Sequence, residues 1–534
     1  MRPANSAPRD RASATPPGGP KPSDIRNRLV WALWLLLLIS VPITSAPVVA
    51  ALLGPNPVSP MAMIPAAGIL IVWLVPYLIK GGQLPALALP LFVFAGIALL
   101  SSLVGFGLPI LPYKGQDLLS REIRALGSLG LGISIYLFAS CIPNTEDGLK
   151  RSLRAIYVGG IFVLAWSTVQ ATFVLAEGRR VPLVLTNLHH LLSIRDLIYN
   201  RVTGFSFEPS WLGNLLLLLY LPLWLGGLLT RSSVISRPPK WPVPELVLTV
   251  WGLAILYLTR ARISWLSLLA ITAAIFLSLS WTASSRIITK LLTSSDADAR
   301  IRSRALRALW LAVTMLALVG LVAGSAWLLS KVDRRMGRLF STSDQLAEFR
   351  YFYAGEVGFQ VADRLAFGER VSYWAAAYGT FEEYPILGVG LGNSGFFFEE
   401  MLPAYAYRLA EFQRLLDGDS PNFPNPKNLW IRLLAETGLV GFCTFVVWLG
   451  LLAITALKLR LIGTRLQRMV AVAALLALTA QLLEGFSLDT FALPQLWIIL
   501  GLLTAAARQA PELLGSSLQE QSGAQSATAL PTGA

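Results

Sequence analysis

Long apolar runs alternate with short polar stretches along most of this 534-residue chain. A helix of about 20 apolar residues crosses the hydrocarbon core of a bilayer, and only helices or closed barrels satisfy their backbone groups there. The alternating strands of a barrel are absent, so the runs predict an all-α polytopic membrane protein. The twelve predicted spans are Leu29–Leu52, Met61–Ile79, Leu84–Val104, Leu126–Ile142, Ala155–Ala176, Trp211–Thr230, Val243–Thr259, Trp265–Trp281, Ala308–Ser330, Leu429–Leu459, Met469–Phe486 and Ala492–Ala507.

The polar stretches divide the chain into five parts. Residues 1–28 are rich in Pro, Arg and Ser, which predicts a disordered cytoplasmic arm, and 29–330 hold the first nine spans. Residues 331–428 form one large soluble insertion between spans nine and ten. The last three spans occupy 429–507, and residues 508–534 form a tail that we expect to be disordered and cytoplasmic.

Charge in the loops predicts which side faces the cytoplasm. The loop Thr282–Arg307 holds six Lys or Arg residues, and Arg460–Arg468 holds three arginines and no acid. Both fall on the side of the basic N-terminus, which is therefore cytoplasmic by the positive-inside rule. This bias accounts for the net charge of +14 without a nucleic-acid partner. We expect a multi-pass membrane protein with both termini cytoplasmic and 331–428 on the opposite side of the membrane.

The insertion 331–428 contains two amphipathic patterns. Apolar residues recur at helical spacing over Val371–Tyr378, ahead of Pro385, and again over Tyr405–Leu416. Ten basic and thirteen acidic residues make the insertion too mixed for a polybasic membrane anchor. We interpret it as a helical cap over the outer mouth of the bundle.

The chain enters the tenth span at Lys427 and Asn428. Asn428, Arg432 and Glu436 follow at i, i+4 and i+8, on one helical face. Glu436 lies about 12 Å deeper than Asn428 at 1.5 Å per residue. A charge at that depth faces a bundle interior or an aqueous cavity. The alternative is an Arg432–Glu436 pair that only stabilises helix packing.

Arginines on the outward side form a second group. Arg201 lies just before the sixth span, Arg260 and Arg262 lie in a connection too short to leave the membrane surface, and Arg370 begins the first cap helix. The arginine fork suits phosphate oxygens, so several together predict a site for a diphosphate. Snorkelling of these side chains to lipid head groups is the alternative.

The motif Lys427-Asn428, nine residues, Gly438-x-x-Gly441 resembles the signature of the bacterial O-antigen ligase and polymerase superfamily. The family usually has histidine where this chain has Lys427. Further family-like fragments occur in the family's order. They are Arg201-x-x-Gly-Phe with Glu208-Pro209, Thr259-x-x-Arg262, Arg370-x-x-x-Trp374 and Pro385-x-x-Gly388-x-Gly390.

This resemblance implies an inverting glycosyltransferase of a bacterial inner (cytoplasmic) membrane that works at the periplasmic face. Residues 331–428 would then lie in the periplasm. The donor would be an undecaprenyl-diphosphate-linked glycan, and the acceptor a lipid A-core or another lipid-linked glycan, without metal, nucleotide sugar or other cofactor. Membrane lipids are the remaining expected partner. The implied diphosphate-binding residues are Arg201, Arg260, Arg262 and Arg370. The implied catalytic residues are Lys427, Asn428 and Glu436, with a base near Lys427 or Glu436, and Glu208 and Arg432 are further candidates.

Other interpretations stay open at this point. His189-His190 could supply the base instead, although surface histidines are common. A transporter of an anion or a lipid-linked sugar would also use twelve helices and buried charges, but its site would lie near mid-membrane. A non-enzymatic partner in an export complex is a third possibility. The Asp296-x-Asp298 and Asp417-x-Asp419 pairs lack an α/β context and are interpreted as surface loops, and the Gly388–Gly392 stretch as a tight turn.

Overall fold

In the computed structural model, the chain forms a bundle of helices with a smaller helical segment packed on one end. The structure describes residues 22–54, 57–174, 181–198, 200–235, 243–291, 305–306, 308–317, 319–320, 323–324, 327, 367–417, 420 and 422–510. Three predicted segments lie wholly or partly outside these residues. They are 1–21 of the predicted N-terminal arm, 331–366 of the insertion, and the tail from Pro511.

The regular elements among the described residues are helices. In chain order they are α1 Pro22–Ser40, α2 Pro47–Leu53, α3 Met63–Ile79, α4 Leu89–Gly105, α5 Leu118–Cys141, α6 Glu146–Val174, α7 Leu183–His190, α8 Pro209–Thr230, α9 Val243–Thr259, α10 Arg262–Leu291, α11 Ala308–Ala317, α12 Gly368–Glu383, α13 Phe398–Met401, α14 Ala410–Leu416, α15 Leu429–Ile462, α16 Arg465–Glu484 and α17 Gln495–Arg508. Short 3₁₀ turns precede α4 and flank α13.

Seven helices among the described residues are long and apolar enough to cross a membrane, namely α4 with its preceding turn, α5, α6, α8, α10, α15 and α16. Each lies at a predicted span. Four shorter apolar helices, α3, α9, α11 and α17, lie at four further predicted positions. The first predicted span corresponds to α1 and α2, which are separated by a turn. The protein is therefore a multi-pass membrane protein with an all-helical fold, and the count of twelve spans stays a prediction.

Proline shifts the hydrogen-bond register inside two of these helices. A π turn covers Leu70–Leu74 in α3 just before Pro76, and another covers Leu216–Tyr220 in α8 just before Pro222. A proline inside a helix removes one N–H donor and crowds the carbonyl four residues earlier. The wider π turn relieves this conflict without ending the helix. Each apolar run therefore continues as one helix through its proline.

Small residues allow close helix packing in the bundle core. A side-chain carbon at Gly132 of α5 would lie 2.3 Å from the Trp497 ring of α17, and one at Gly226 of α8 would lie 2.7 Å from the Met469 carbonyl of α16. Such close backbone approach is how helices gain contact in lipid, where apolar burial gives little driving force. The motif-bearing helix α15 packs against α4, α16 and α12.

The insertion's described residues, 367–417, 420 and 422–428, are called the cap segment. Its first helix, α12, confirms the amphipathic pattern ahead of Pro385. The second pattern, over Tyr405–Leu416, divides into a 3₁₀ turn and the short helix α14. The cap segment has its own apolar core, which includes Ala435 of α15. Packing on the first turns of α15 thus attaches it to the bundle, and its periplasmic location stays a prediction.

Two glycine motifs meet where α15 is interrupted. Gly438 adopts φ 64°, a conformation that favours glycine, and breaks the helix. The Leu439 N–H donates to the Pro385 carbonyl at 2.8 Å, and the Gly390 N–H donates to the Glu436 carbonyl at 3.0 Å. A side-chain carbon at Gly438 would lie 2.1 Å from the Ile386 oxygen. The turn that begins at Pro385 therefore fills the break in α15 and is bound to it by backbone hydrogen bonds.

Candidate functional site

Lys427 has an unusual backbone conformation at the entrance to α15. Its φ is 50°, in the left-handed region that residues other than glycine seldom adopt. Its N–H donates to Oδ2 of Asp489 at 3.0 Å, and its carbonyl accepts from Nη1 of Arg370 at 3.5 Å. Contacts from two other parts of the fold therefore hold this residue, a pattern that is common at functional sites.

The Lys427 side chain turns toward the cap segment. Its Nζ donates to Oε1 of Glu411 at 2.6 Å and lies 4.1 Å from the centre of the Tyr373 ring. The Tyr373 hydroxyl donates to the same Glu411 oxygen at 2.9 Å. Burial alone would raise the pKa of Glu411, but the hydrogen bond and charge of Lys427 lower it below the ordinary value of 4.5. Burial and the Glu411 charge raise the pKa of Tyr373, so its hydroxyl stays a donor.

Asn428 caps the N-terminus of α15. Its Oδ1 accepts from the backbone N–H groups of Trp430 at 2.9 Å and Ile431 at 3.2 Å. These are donors that a helix start leaves without intrahelical partners. The side chain is fully buried, and its Nδ2 has no partner among the described residues. Asn428 therefore fixes where the helix begins, directly after Lys427.

Arg432 and Glu436 form the predicted i, i+4 pair, with Nε and Oε2 separated by 2.8 Å. Glu436 also accepts from the Gly392 N–H at 2.7 Å and from the Ser394 hydroxyl at 2.8 Å, and it is only 2% exposed. Arg432 donates in addition to the carbonyl of Asp489 at 2.6 Å. Both Glu436 oxygens thus hold the turn that fills the break in α15.

Arg201 and Arg260 meet where the loop before α8 passes the end of α9. The Arg201 Nε donates to the Thr259 carbonyl at 2.8 Å, and its Nη2 donates to the Arg260 carbonyl at 3.1 Å. Arg260 is exposed and has φ 49°, which ends α9 in a left-handed turn. The two arginines that sequence spacing separates by nearly sixty residues are therefore neighbours.

Arg262 and Arg370 extend this group toward Lys427. Arg262 begins α10, and its guanidinium lies 4.9 Å from the centre of the Phe367 ring, at the start of the cap segment. Arg370 lies one turn further along α12 and donates to the Lys427 carbonyl. Successive contacts thus connect the predicted arginines to the Lys427 motif at one end of the bundle.

The remaining candidates, Glu208 and the two histidines, lie close to Arg201 in sequence but make a separate set of contacts. Glu208 precedes α8, accepts from the Ser210 hydroxyl at 3.1 Å, and lies 3.8 Å from Nη1 of Arg195. His189 is buried and its Nε2 lies 3.0 Å from the Arg195 carbonyl oxygen, while His190 lies 3.2 Å from Asp196. No contact among the described residues joins either histidine to Lys427, Glu411 or Tyr373.

Sequence reasoning missed four residues that contact or adjoin the site. Glu411 and Tyr373 lie on cap helices that the sequence predicted from their apolar positions, without indicating a role for either residue. Asp489 lies in the connection between α16 and α17. Burial raises the pKa of Asp489, while the nearby Arg432 opposes this rise. Arg121 of α5 stacks on the Phe423 ring, 4.2 Å from its centre. The positive φ at Lys427 is the structural feature that draws attention to this group.

Taken together, the geometry offers two kinds of chemistry. The arginines present planar donors suited to an anion with several oxygens, such as a diphosphate. The Lys427–Glu411 pair offers a carboxylate and an ammonium on side chains that are 35% and 39% exposed, so a ligand can approach the pair. Glu436, by contrast, already accepts three hydrogen bonds and is enclosed.

The O-antigen ligase family model matches residues 247–446, which is less than half of the chain. The matched part runs from α9 through the cap segment and into α15, and it includes Arg260, Arg262, Arg370 and the Lys427 motif. No curated protein matches the chain. The family match confirms the resemblance that the motifs indicate, and it supports a membrane enzyme that transfers glycans.

Proposed function

We propose that this O-antigen ligase-like membrane protein transfers a glycan from a polyprenyl diphosphate to a lipid A-core or glycan acceptor at the periplasmic face of the inner membrane. The observation that carries this proposal is the bond from Arg370 to the Lys427 carbonyl. It joins the arginine group to the family motif, and both Arg370 and Lys427 lie inside residues 247–446, which the family model matches.

The arginines would act on the leaving group. Direct displacement at the anomeric carbon releases a diphosphate, on which negative charge grows as the bond breaks. Fixed guanidinium donors stabilise such charge without having to reorganise during the reaction. The Arg201 guanidinium is held by the Thr259 and Arg260 carbonyls at the end of α9, and the Arg262 guanidinium lies against the Phe367 ring. A single displacement would invert the anomeric configuration.

The position of the charges favours an enzyme over a carrier. Arg201, Arg260 and Arg262 lie at helix ends or in connections, and Lys427 lies just before α15. A carrier places its site near the middle of the membrane, with access from either side. Here the cap segment packs over the same end of the bundle as these cations.

The test uses purified full-length protein and lipid-linked oligosaccharides extracted from the organism's own membranes, with and without a lipid A-core acceptor. Transfer to lipid A-core supports a ligase, and growth of the lipid-linked chain supports a polymerase. Absence of any new glycosidic bond under both conditions, with folded protein, would refute the proposed function.

Lysine replacements test the arginine group. Arg201→Lys, Arg262→Lys and Arg370→Lys keep the charge but lose the planar fork. Each variant should lose about tenfold or more in transfer, because a hydrogen bond to a charged group contributes about 1.5–3 kcal/mol. Arg414→Lys, on the exposed side of α14, is the matched control and should transfer normally. If all three site variants transfer glycan normally at normal protein abundance, these arginines do not bind the diphosphate as proposed.

A further inference from the structure

Glu411 is a partly exposed acid in direct contact with Lys427 of the family motif. One of its oxygens accepts both from Lys427 Nζ at 2.6 Å and from the Tyr373 hydroxyl at 2.9 Å. Three elements contribute to this group, because Glu411 lies on α14, Tyr373 on α12, and Lys427 just before α15. The carboxylate is held by these two donors, yet the Glu411 side chain is 35% exposed.

The proposed reaction needs a proton acceptor, and Glu436 is badly placed to provide it. The Glu436 carboxylate is 2% exposed, and Arg432, Gly392 and Ser394 donate to its two oxygens. An acceptor hydroxyl could reach it only if these bonds broke and the turn at Gly392 moved. A general base has to lie within hydrogen-bond reach of the proton that it removes.

Lys427 is equally unsuited to act as the base. Its Nζ already donates to the Glu411 carboxylate at 2.6 Å, and a lysine ammonium has no lone pair to accept a proton. The ammonium can instead keep Glu411 ionised and oriented. The Tyr373 hydroxyl adds a second donor that fixes the same oxygen.

We propose that Glu411 is the catalytic base that accepts the proton of the acceptor hydroxyl, with Lys427 and Tyr373 as positioning residues. This rests on the proposed function. The acceptor O–H proton passes to the Glu411 carboxylate as the acceptor oxygen bonds to the anomeric carbon. The bond from that carbon to the diphosphate oxygen breaks, and its electron pair leaves with the polyprenyl diphosphate. Glu411 then returns the proton to solvent.

Glu411→Gln is the first variant of the test. It keeps an oxygen that can accept from Lys427 and Tyr373 but removes the base. Transfer should fall by about 10²–10⁴-fold, the usual contribution of a general base. Binding of undecaprenyl diphosphate alone should stay unchanged, because the arginines bind it. Glu400→Gln, an exposed acid on the same cap segment, is the matched control and should transfer normally.

A charge exchange separates catalysis from a purely structural ion pair. The double variant Glu411→Lys with Lys427→Glu restores the pair in reverse, so its unfolding midpoint should recover relative to Glu411→Lys alone. Transfer should not recover, because the carboxylate then lies on the other partner. Lys427→Arg keeps a cation beside Glu411 and should retain part of the activity, which it could not do if Lys427 were the base.

The pH profile provides a further readout. In the wild-type enzyme, transfer should fall on acidification as Glu411 is protonated, and Lys427→Ala should move this acidic limb to higher pH. The other titratable groups facing Glu411 are Tyr373 and Glu369 of α12, so Glu369→Gln is measured in parallel. Wild-type transfer by Glu411→Gln, or recovery of transfer in the exchanged variant, would overturn this assignment and leave the proposed function standing. A wild-type protein that forms no glycosidic bond would refute the proposed function itself.

Discussion

Replacement of Glu436 separates a structural role from a catalytic role for this buried acid. In the fold, the carboxylate accepts from Arg432 at 2.8 Å, from the Gly392 N–H at 2.7 Å and from the Ser394 hydroxyl at 2.8 Å. Two of these donors share Oε2, and Ser394 uses Oε1 alone. The substitutions Glu436→Gln and Glu436→Ala therefore remove different amounts of this network.

In Glu436→Gln, the amide oxygen can take the place of Oε2, and the amide NH₂ can donate to the Ser394 hydroxyl, which also accepts. All three hydrogen bonds survive, and only the negative charge is lost. We expect a loss of about 1–2 kcal/mol in the free energy of unfolding, the difference between charged and neutral hydrogen bonds. Glu436→Ala leaves the Arg432 charge and the Gly392 N–H without this partner, and should cost about 3–5 kcal/mol.

The assay compares unfolding midpoints of detergent-solubilised protein with the glycan transfer rate per folded molecule. Ser394→Ala removes one of the three donors and serves as a calibration, with an expected cost of about 1 kcal/mol. If Glu436 is structural, folded Glu436→Gln should keep most of its transfer activity. Folded Glu436→Gln that has a wild-type midpoint but no transfer would refute this reasoning and make Glu436 the base.

Three further predictions concern stability. Asn428→Ala should cost about 1–2 kcal/mol of unfolding free energy because α15 loses its cap, and Asn428→Ser should restore most of it. Burial lowers the pKa of His189 to about 4 from 6.5, so the folded state holds this ring neutral. The stability that the neutral His189 ring contributes to the folded state is complete above pH 6.5. This part of the free energy of unfolding declines as pH falls toward 4, by up to about 3 kcal/mol. In acid titrations of unfolding, His189→Gln should remove this slope and His190→Gln should leave it. Gly438→Ala should cost at least about 2 kcal/mol from backbone strain alone, whereas Gly450→Ala, with no neighbouring atom within 4 Å of the new carbon, should be neutral or stabilising in the same unfolding assay. A pH slope that persists in His189→Gln, or equal midpoints for the two glycine variants, would contradict these assignments.

Local sequence pattern determined much of the bundle. The apolar runs define helices because a backbone in lipid has to satisfy its own hydrogen bonds, and this requirement acts within each segment. The Arg432–Glu436 pair, the alternative interpretation of this helix face, follows from i, i+4 spacing on one helix and is present in the structure. The start of α15 at Asn428 likewise depends on residues adjacent in sequence, since a cap bonds only to the first turn.

Contacts between distant segments depended on the tertiary structure. The pattern of Glu411 and its neighbours predicts only an amphipathic cap helix, and nothing in the spacing indicates that this acid meets Lys427. The break at Gly438 and its filling by the turn from Pro385 depend on how α12 packs against α15. Hydrophobic periodicity specifies which face of a helix is buried. Which polar residues meet is decided by the packing angles between helices and by the path of the loops, which periodicity does not specify.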